Sequence, residues 1–386
     1  MAPTGKTVLI LGGGVGGLAA ANALRKRLPR YHRVVLVERG MTFVFAPSLL
    51  WLLVGNRSTA QISRPLSRLV RPGVAIVAGD VHRIDPERLE VTVDGRTMSG
   101  DILVIALGTE AVPESIPGLV AGGHNLYALN GAEAFRDAFA RFRGGRLTVL
   151  TATPAYRCPA APYEATMLVE AACRRRGIRE ATDIHLFAAE PGPMGVAGPE
   201  VSKAVRQMVE SRGVTYHPEH QVSAVDVDAR RLRFANGAEA AYDLLAYVPP
   251  QRAPRVVRES GLCGEGGWIA VDRQTLETRH PRVYAIGDVN TIPLKMGKPL
   301  PKAGVFAHLQ AEVVAKNVAF ALTGRGRAAT FSGNGECFIE TGDHKAGFGK
   351  GNFFAEPSPA VRVYPPALRW HVGKILLEQA WLRGWI

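Results

Sequence analysis

The sequence predicts an α/β protein of two or three units, and three observations carry that expectation. The chain has 386 residues, more than one hydrophobic core usually supports. Its stretch TVLILGGGVGGLAAANAL, Thr7 to Leu24, passes from a short apolar strand through a glycine-rich turn into an alanine-rich helix, the opening of a Rossmann-like unit. A second apolar, β-branched run, LTVLT from Leu147 to Thr151, opens another strand far along the chain.

Each element of the first unit has a physical task. Gly12 makes the tight turn, Gly14 lets backbone approach a pyrophosphate, and Gly17 lets helix and strand pack closely. The helix start offers free N–H groups to phosphate. A second strand, RVVLVE, ends in Glu38, 21 residues after Gly17, where a carboxylate suits an adenosine ribose hydroxyl. DILVIALGT (Asp101 to Thr109) is a strand ending in a small-residue turn with Gly108, and VYAIGDVN (Val283 to Asn290) ends in Gly287-Asp288. Together these stretches resemble the two-dinucleotide-binding-domain flavoproteins. The resemblance implies FAD, with Asp288 holding the ribityl chain. It implies that a helix over about 303–322 points its positive end at the flavin pyrimidine, favouring an anionic reduced flavin. It also implies a second Rossmann-like domain inserted in the first. On that reading 1–112 and 272–325 form the FAD domain, 113–271 the inserted domain, and 326–386 a C-terminal segment.

The turn after Leu150 departs from the expected pattern. A nicotinamide site needs glycines where backbone meets phosphate, and here stand Thr151, Ala152, Thr153, Pro154 and Ala155. Pro154 also lacks an N–H. NAD(P)H binding is therefore not expected. The stretch that follows, YRCPAAPYE, resembles the Cys-Pro-x-x-Pro-Tyr-Glu segment of sulfide:quinone oxidoreductases and of the flavocytochrome c sulfide dehydrogenase flavoprotein. The similarity continues through KPLPKAGVFAHLQAEVVAKNV and GECFIETGDHKAGFGKGNF to the C-terminus. It implies that Cys158 and Cys337 are a redox pair, with Cys337 nearer the flavin, and that Glu164 is a proton acceptor for H₂S or a thiol, the alternative for Glu164 being a negative charge that suits a helix N-terminus. Chemistry supplies an independent reason for a pair: a disulfide accepts HS⁻ by thiol–disulfide exchange and holds zero-valent sulfur while electrons leave, with polysulfide as the expected product. Lys302 is either a ligand of the flavin C2 oxygen or quinone carbonyl, or a solvated lysine. Phe338, Ile339, Phe348, Phe353 and Phe354 either line a quinone slot or pack a core.

Two departures from the family pattern are visible. The segment GGHNLYALNGAEAF lacks a third cysteine, and AAEPGPMGVAGPE has Pro193 and Met194 where a histidine is frequent. His124 is either its substitute or a surface-loop histidine. Cys173 and Cys263 read as small apolar residues. The loop RGMTFVFAPSLLWLLVG after Glu38 has no cysteine, so FAD is expected without a covalent link, which weakens the flavocytochrome alternative. The missing second glycine turn argues against a type II NADH:quinone oxidoreductase. A non-enzymatic flavin redox sensor stays open, as does a homo-oligomer.

The formal net charge of +13 favours anionic partners, but no zinc-finger, helix-turn-helix or basic-helix pattern points to nucleic acid. Four cysteines without paired spacing exclude a disulfide scaffold and give no metal site. No secretory signal is read, and no run of about 18 apolar residues could span a bilayer. The end of the chain, PPALRWHVGKILLEQAWLRGWI, reads either as a helix lying on a membrane surface, which would make this a peripheral membrane protein, or as a C-terminal helix docked on the protein's own core. Leu368, Val372, Ile375, Leu376 and Leu382 would form its apolar face, Arg369, Lys374 and Arg383 its basic flanks, and Trp370, Trp381 and Trp385 its headgroup belt.

Overall fold

The glycine-rich turn lies between the first strand and first helix of a five-stranded parallel sheet, in a computed structural model that describes residues 5–384. The strands that matter here are β1 (Thr7–Leu11), β2 (Arg33–Glu38), β3 (Val74–Ala78), β4 (Ile102–Ile105), β5 (His124–Asn125), β6 (Gly145–Thr151), β7 (Thr182–Phe187), β8 (Thr215–His217), β9 (Leu244–Val248) and β10 (Val283–Ala285). The first sheet has the order β10-β4-β1-β2-β3 and the second β5-β9-β6-β7-β8, with every pairing parallel. The chain leaves the first sheet after β3 and β4, builds the whole second sheet, and returns with β10 beside β4. A central parallel strand is covered on both faces, so it reads as an unbroken apolar run. In β1, Val8 and Ile10 join the core under the first helix, while Leu9 and Leu11 join a separate core on the opposite face.

Helix α1 (Val15–Arg27) packs against α3 (Gly304–Thr323), which follows α2 (Ala161–Arg175) in the chain. The small residues Ala19, Ala20 and Ala23 of α1 and Ala311 and Ala315 of α3 permit the close approach. Gly17 has no alternative: a Cβ there would stand 1.7 Å from the Gly12 carbonyl oxygen. Helix α2 is buried without a break from Ala161 to Cys173, because the second sheet covers one side and β11 (Asn334–Gly342) another. That strand pairs antiparallel with β12 (Lys345–Asn352), and β12 with β13 (Ala360–Ala367). Helix α4 (Leu368–Leu382) then lies across β12.

Candidate active site

The dinucleotide cradle forms at the ends of β1, β2, β4 and β10. Gly12 has φ +99° and runs so close to Ala106 that a Cβ would sit 2.5 Å from its carbonyl oxygen. At Gly14 a Cβ would meet nothing within 4 Å, so the turn faces open space at the start of α1. Glu38 accepts the Gly13 N–H at 2.5 Å and the Gly40 N–H at 2.7 Å, which holds its carboxylate over the turn. Gly108 has φ +64° at the end of β4. Neither α1 nor α3 has a side-chain cap or an acid in its first turn, so both present backbone N–H groups. The two helix starts adjoin, with Gly304 against Val15.

Asp288 follows the positive-φ Gly287 (φ +73°), whose N–H is taken by Gln310 at 2.7 Å. Its Oδ1 is buried without a hydrogen-bond partner, and burial pushes its carboxyl upward. A buried acceptor of this kind calls for a donor. The hydroxyls of a ribityl chain supply donors, and the uncapped helix starts suit a pyrophosphate, so the residues fit FAD. Lys302 is not a solvated lysine. Its Nζ donates to the Asp288 and Asn290 carbonyls at 2.6 and 2.8 Å and lies 3.5 Å from the centre of the Trp268 ring. Burial lowers its pKa to about 8.

Cys158 and Cys337 come together from the loop after β6 and from β11. Both are half-buried and pack against the core around α2. Cys158 adopts φ +52°; its N–H donates to the Lys302 carbonyl at 2.6 Å, and its own carbonyl accepts from Tyr127 Oη at 3.0 Å and the Ala161 N–H at 2.9 Å. This ties the cysteine loop to the Asp288 turn. Glu164, in the first turn of α2, is buried beside both sulfurs. Its Oε2 accepts from Lys374 Nζ at 2.5 Å and from the Glu340 N–H at 2.9 Å. Burial, then the Glu164 charge, pushes the Cys158 thiol up to about 12 and the Cys337 thiol higher still, while Lys374 draws both back down. Burial also raises Glu164 itself, against the pull of Lys374. Burial disfavours the Lys374 ammonium, but Glu164 and Glu340 outweigh it and hold it charged.

Where a second dinucleotide would lie, a carboxylate is already occupied. Glu190, three residues past β7, is buried and accepts hydroxyl hydrogen bonds from Thr151 at 2.7 Å, Tyr163 at 2.6 Å and Tyr156. No sequence reading singled it out. The signal was present: an acid just past the second strand of a Rossmann-like unit, as Glu38 is in the first. His124 is half-buried on β5, edge-on to Phe135 at 5.9 Å, and takes no part in this site.

The model of the family described as "Pyridine nucleotide-disulphide oxidoreductase" matches residues 6–311. The chain belongs to that family. Among curated proteins it is similar to the sulfide-quinone reductase of Aquifex aeolicus, 26% identical over 400 residues covering 98% of this chain and 90% of the relative. It is also similar to the mitochondrial sulfide:quinone oxidoreductase of Mus musculus, 25% identical over 366 residues covering 91% and 79%. Its fold matches the crystal structure of the sulfide:quinone oxidoreductase from Aquifex aeolicus with a TM-score of 0.87 at 23% identity, covering 98% of this chain and 92% of that one.

The family match ends before the C-terminal segment, and there the structure corrects which residues of the expected helix face outward. Lys374 and Glu378 of α4 are buried, while Leu368, Val372, Leu376 and Leu377 are exposed. Lys374 is therefore no basic flank. Glu378 accepts from Ser48 Oγ at 2.6 Å and from Arg57 through two nitrogens. Leu382 and Trp381 belong to the first core, Trp381 stacking on Phe43 at 6.0 Å, and Ile375 packs against the second. Trp370 is half-buried and stacks on Phe348 at 4.4 Å. Trp385 lies outside the described residues. Among the described residues no helix is long and apolar enough to cross a membrane.

The aromatic residues of the expected quinone slot divide into separate groups. Strand alternation turns Cys337 and Ile339 toward α2 and leaves Phe338 against Gly373 of α4. Ile339 is fully buried, which makes it core and not slot lining. Phe353 packs edge-on to Phe306 at 5.1 Å and Phe354 to Phe331 at 5.4 Å, on the side of the first core.

Proposed function

We propose that the chain oxidises sulfide to zero-valent sulfur, released as polysulfide, through Cys158 and Cys337, with non-covalently bound FAD and a membrane quinone as electron acceptor. The single observation that carries this reading is the placement of the two cysteines against one core beside the buried Glu164–Lys374 pair, with the Cys158 loop tied through Lys302 to the Asp288 turn. In this reading Gly12, Gly14, Gly17, Glu38, Gly108, Gly287 and Asp288 hold FAD, which supplies a two-electron acceptor when bound. Glu164 takes a proton from H₂S or a thiol. Lys374 offsets negative charge at the sulfurs. Lys302 has donated to two carbonyls and keeps one N–H for a carbonyl oxygen of the cofactor or quinone.

The occupied Glu190 and the glycine-free turn favour sulfide over NADH as reductant. Phe353 and Phe354 remain the quinone contacts of choice, with Phe338 on the α4 side. The exposed leucines and valine of α4 suit reversible attachment to a bilayer surface, where a quinone is available. The deciding experiment is anaerobic reduction of the protein's flavin, comparing sulfide with NADH. Bleaching by sulfide and not by NADH is expected. Rapid bleaching by NADH with no response to sulfide would overturn the reading.

A further inference from the structure

The buried charges extend past the sulfur pair. One turn before Lys374 on α4, His371 places Nδ1 3.0 Å from both carboxylate oxygens of Glu340. Glu340 lies three residues after Cys337 on β11, its side chain almost wholly buried. Its N–H donates to Glu164, and its carboxylate acts on the Lys374 ammonium. Glu340 and His371 both line a cleft of about 440 Å³ together with Trp51, Arg57, Asp343 and His344. Charge inside the cleft is mostly paired: Arg57 with Glu378, and Asp343 with Arg174 and Arg212. The titratable groups that face His371 are Glu340 from β11 and His344 from the turn after it, whose ring is 5.5 Å away; Arg175 of α2 lines the same cleft.

We propose that Glu340 and His371 form a proton relay from the Glu164–Lys374 pair to this cleft, carrying out the proton shed when H₂S attacks the oxidised cysteine pair. The inference rests on the sulfide reading above. In the step, a bond forms between the substrate sulfur and one cysteine, and the bond between Cys158 and Cys337 breaks. The electron pair stays on the departing cysteine as thiolate, the other cysteine carries a persulfide, and one proton is left over. Glu164 is its first acceptor, held by both the Lys374 ammonium and the Glu340 N–H; the proton moves from there to the Glu340 carboxylate, with which Lys374 makes no direct ion pair, and His371 passes it to water in the cleft. Without such a path the proton would stay in a site where burial already favours protonated thiols.

The test follows persulfide formation directly. Full-length, FAD-loaded protein is mixed anaerobically with sulfide, quenched with an alkylating reagent and analysed by mass spectrometry. His371→Gln and Glu340→Gln are each expected to slow persulfide formation about tenfold or more near neutral pH. Added imidazole should restore the His371→Gln rate through the cleft and leave the Glu340→Gln rate unchanged. Wild-type rates in folded His371→Gln across about pH 6 to 8, the range where imidazole titrates, would overturn the relay. So would a slowed rate that imidazole does not restore. Should neither variant fold, wild type decides: proton release reported by an indicator dye in weak buffer keeps pace with persulfide formation if the relay exists, and lagging release overturns it. Absence of any persulfide in wild type would remove the sulfide reading itself, a different outcome from loss of the relay.

Discussion

Lys374 and Glu164 meet at 2.5 Å in the interior, one from the C-terminal helix and the other from the helix that follows Cys158. Both side chains are almost fully buried, so each is the main compensation for the other. The contact joins the last helix to the sulfur site and makes α4 a structural part of it.

Lys374→Met should therefore destabilise the protein by about 3–5 kcal/mol, because Glu164 would remain buried without its cation. Denaturant unfolding measures this. A double variant Lys374→Met/Glu164→Leu should recover much of the loss. Equal stability of wild type and Lys374→Met would contradict the paired burial.

The thiols should show the same field. Cys158 is pushed up to about 12, so in the folded, reduced protein it stays protonated at pH values where a free cysteine ionises. A raised folded pKa stabilises the native state below the unfolded value near 9, and that stabilisation is lost as pH rises toward about 12. Iodoacetamide labelling of reduced Cys337→Ser protein should be slow at pH 8 and accelerate only at strongly alkaline pH. Labelling at the rate of a free thiol at pH 8 would show that the Cys158 environment is misread.

Cys158→Ser and Cys337→Ser should each remove most sulfide:quinone turnover while retaining FAD, since exchange needs both sulfurs and the cradle residues lie elsewhere. Asp288→Ala is expected to do the reverse, lowering FAD content with both thiols intact. Flavin absorbance per mole of purified protein separates the two classes. Normal turnover in either serine variant would end the two-cysteine mechanism.

Glu190 should matter through the loop it holds. Tyr156→Phe and Tyr163→Phe each remove one hydroxyl from a buried carboxylate and should cost about 1–3 kcal/mol of stability. Tyr156 lies two residues before Cys158, so Tyr156→Phe should slow flavin reduction by sulfide more than Tyr163→Phe does. The opposite order would place the effect outside the cysteine loop.

Membrane attachment is best tested on the exposed face of α4. Removing everything after Pro366 would strip Lys374 from Glu164 and Trp381 from the core, so deletion should destabilise the protein. Leu376→Asp and Val372→Asp change only exposed positions and should leave FAD bound and folding intact. Flotation with liposomes should fall for these variants; flotation equal to wild type would exclude this face as the anchor.

The sequence by itself determined the parts that local chemistry dictates. The β1 turn, the Glu38 and Asp288 strand ends and the absence of glycine after Leu150 depend on sterics and propensity within a few residues and stand in the structure where they were read, and the helix read over about 303–322 is found at Gly304–Thr323. The motifs around Cys158 and Cys337 named the sulfurs without showing their surroundings. Only the tertiary structure decided which face of α4 turns inward. A helical pattern shows that polar and apolar residues share a helix, but the partners of the buried Lys374 and Glu378 come from Glu164 and Arg57, far away in sequence. Because those partners compensate the cost of burying charge, Lys374 and Glu378 went inside while Leu368, Leu376 and Leu377 stayed out. The same holds for Glu190, whose role rests on hydroxyls that folding gathers from β6, the cysteine loop and α2.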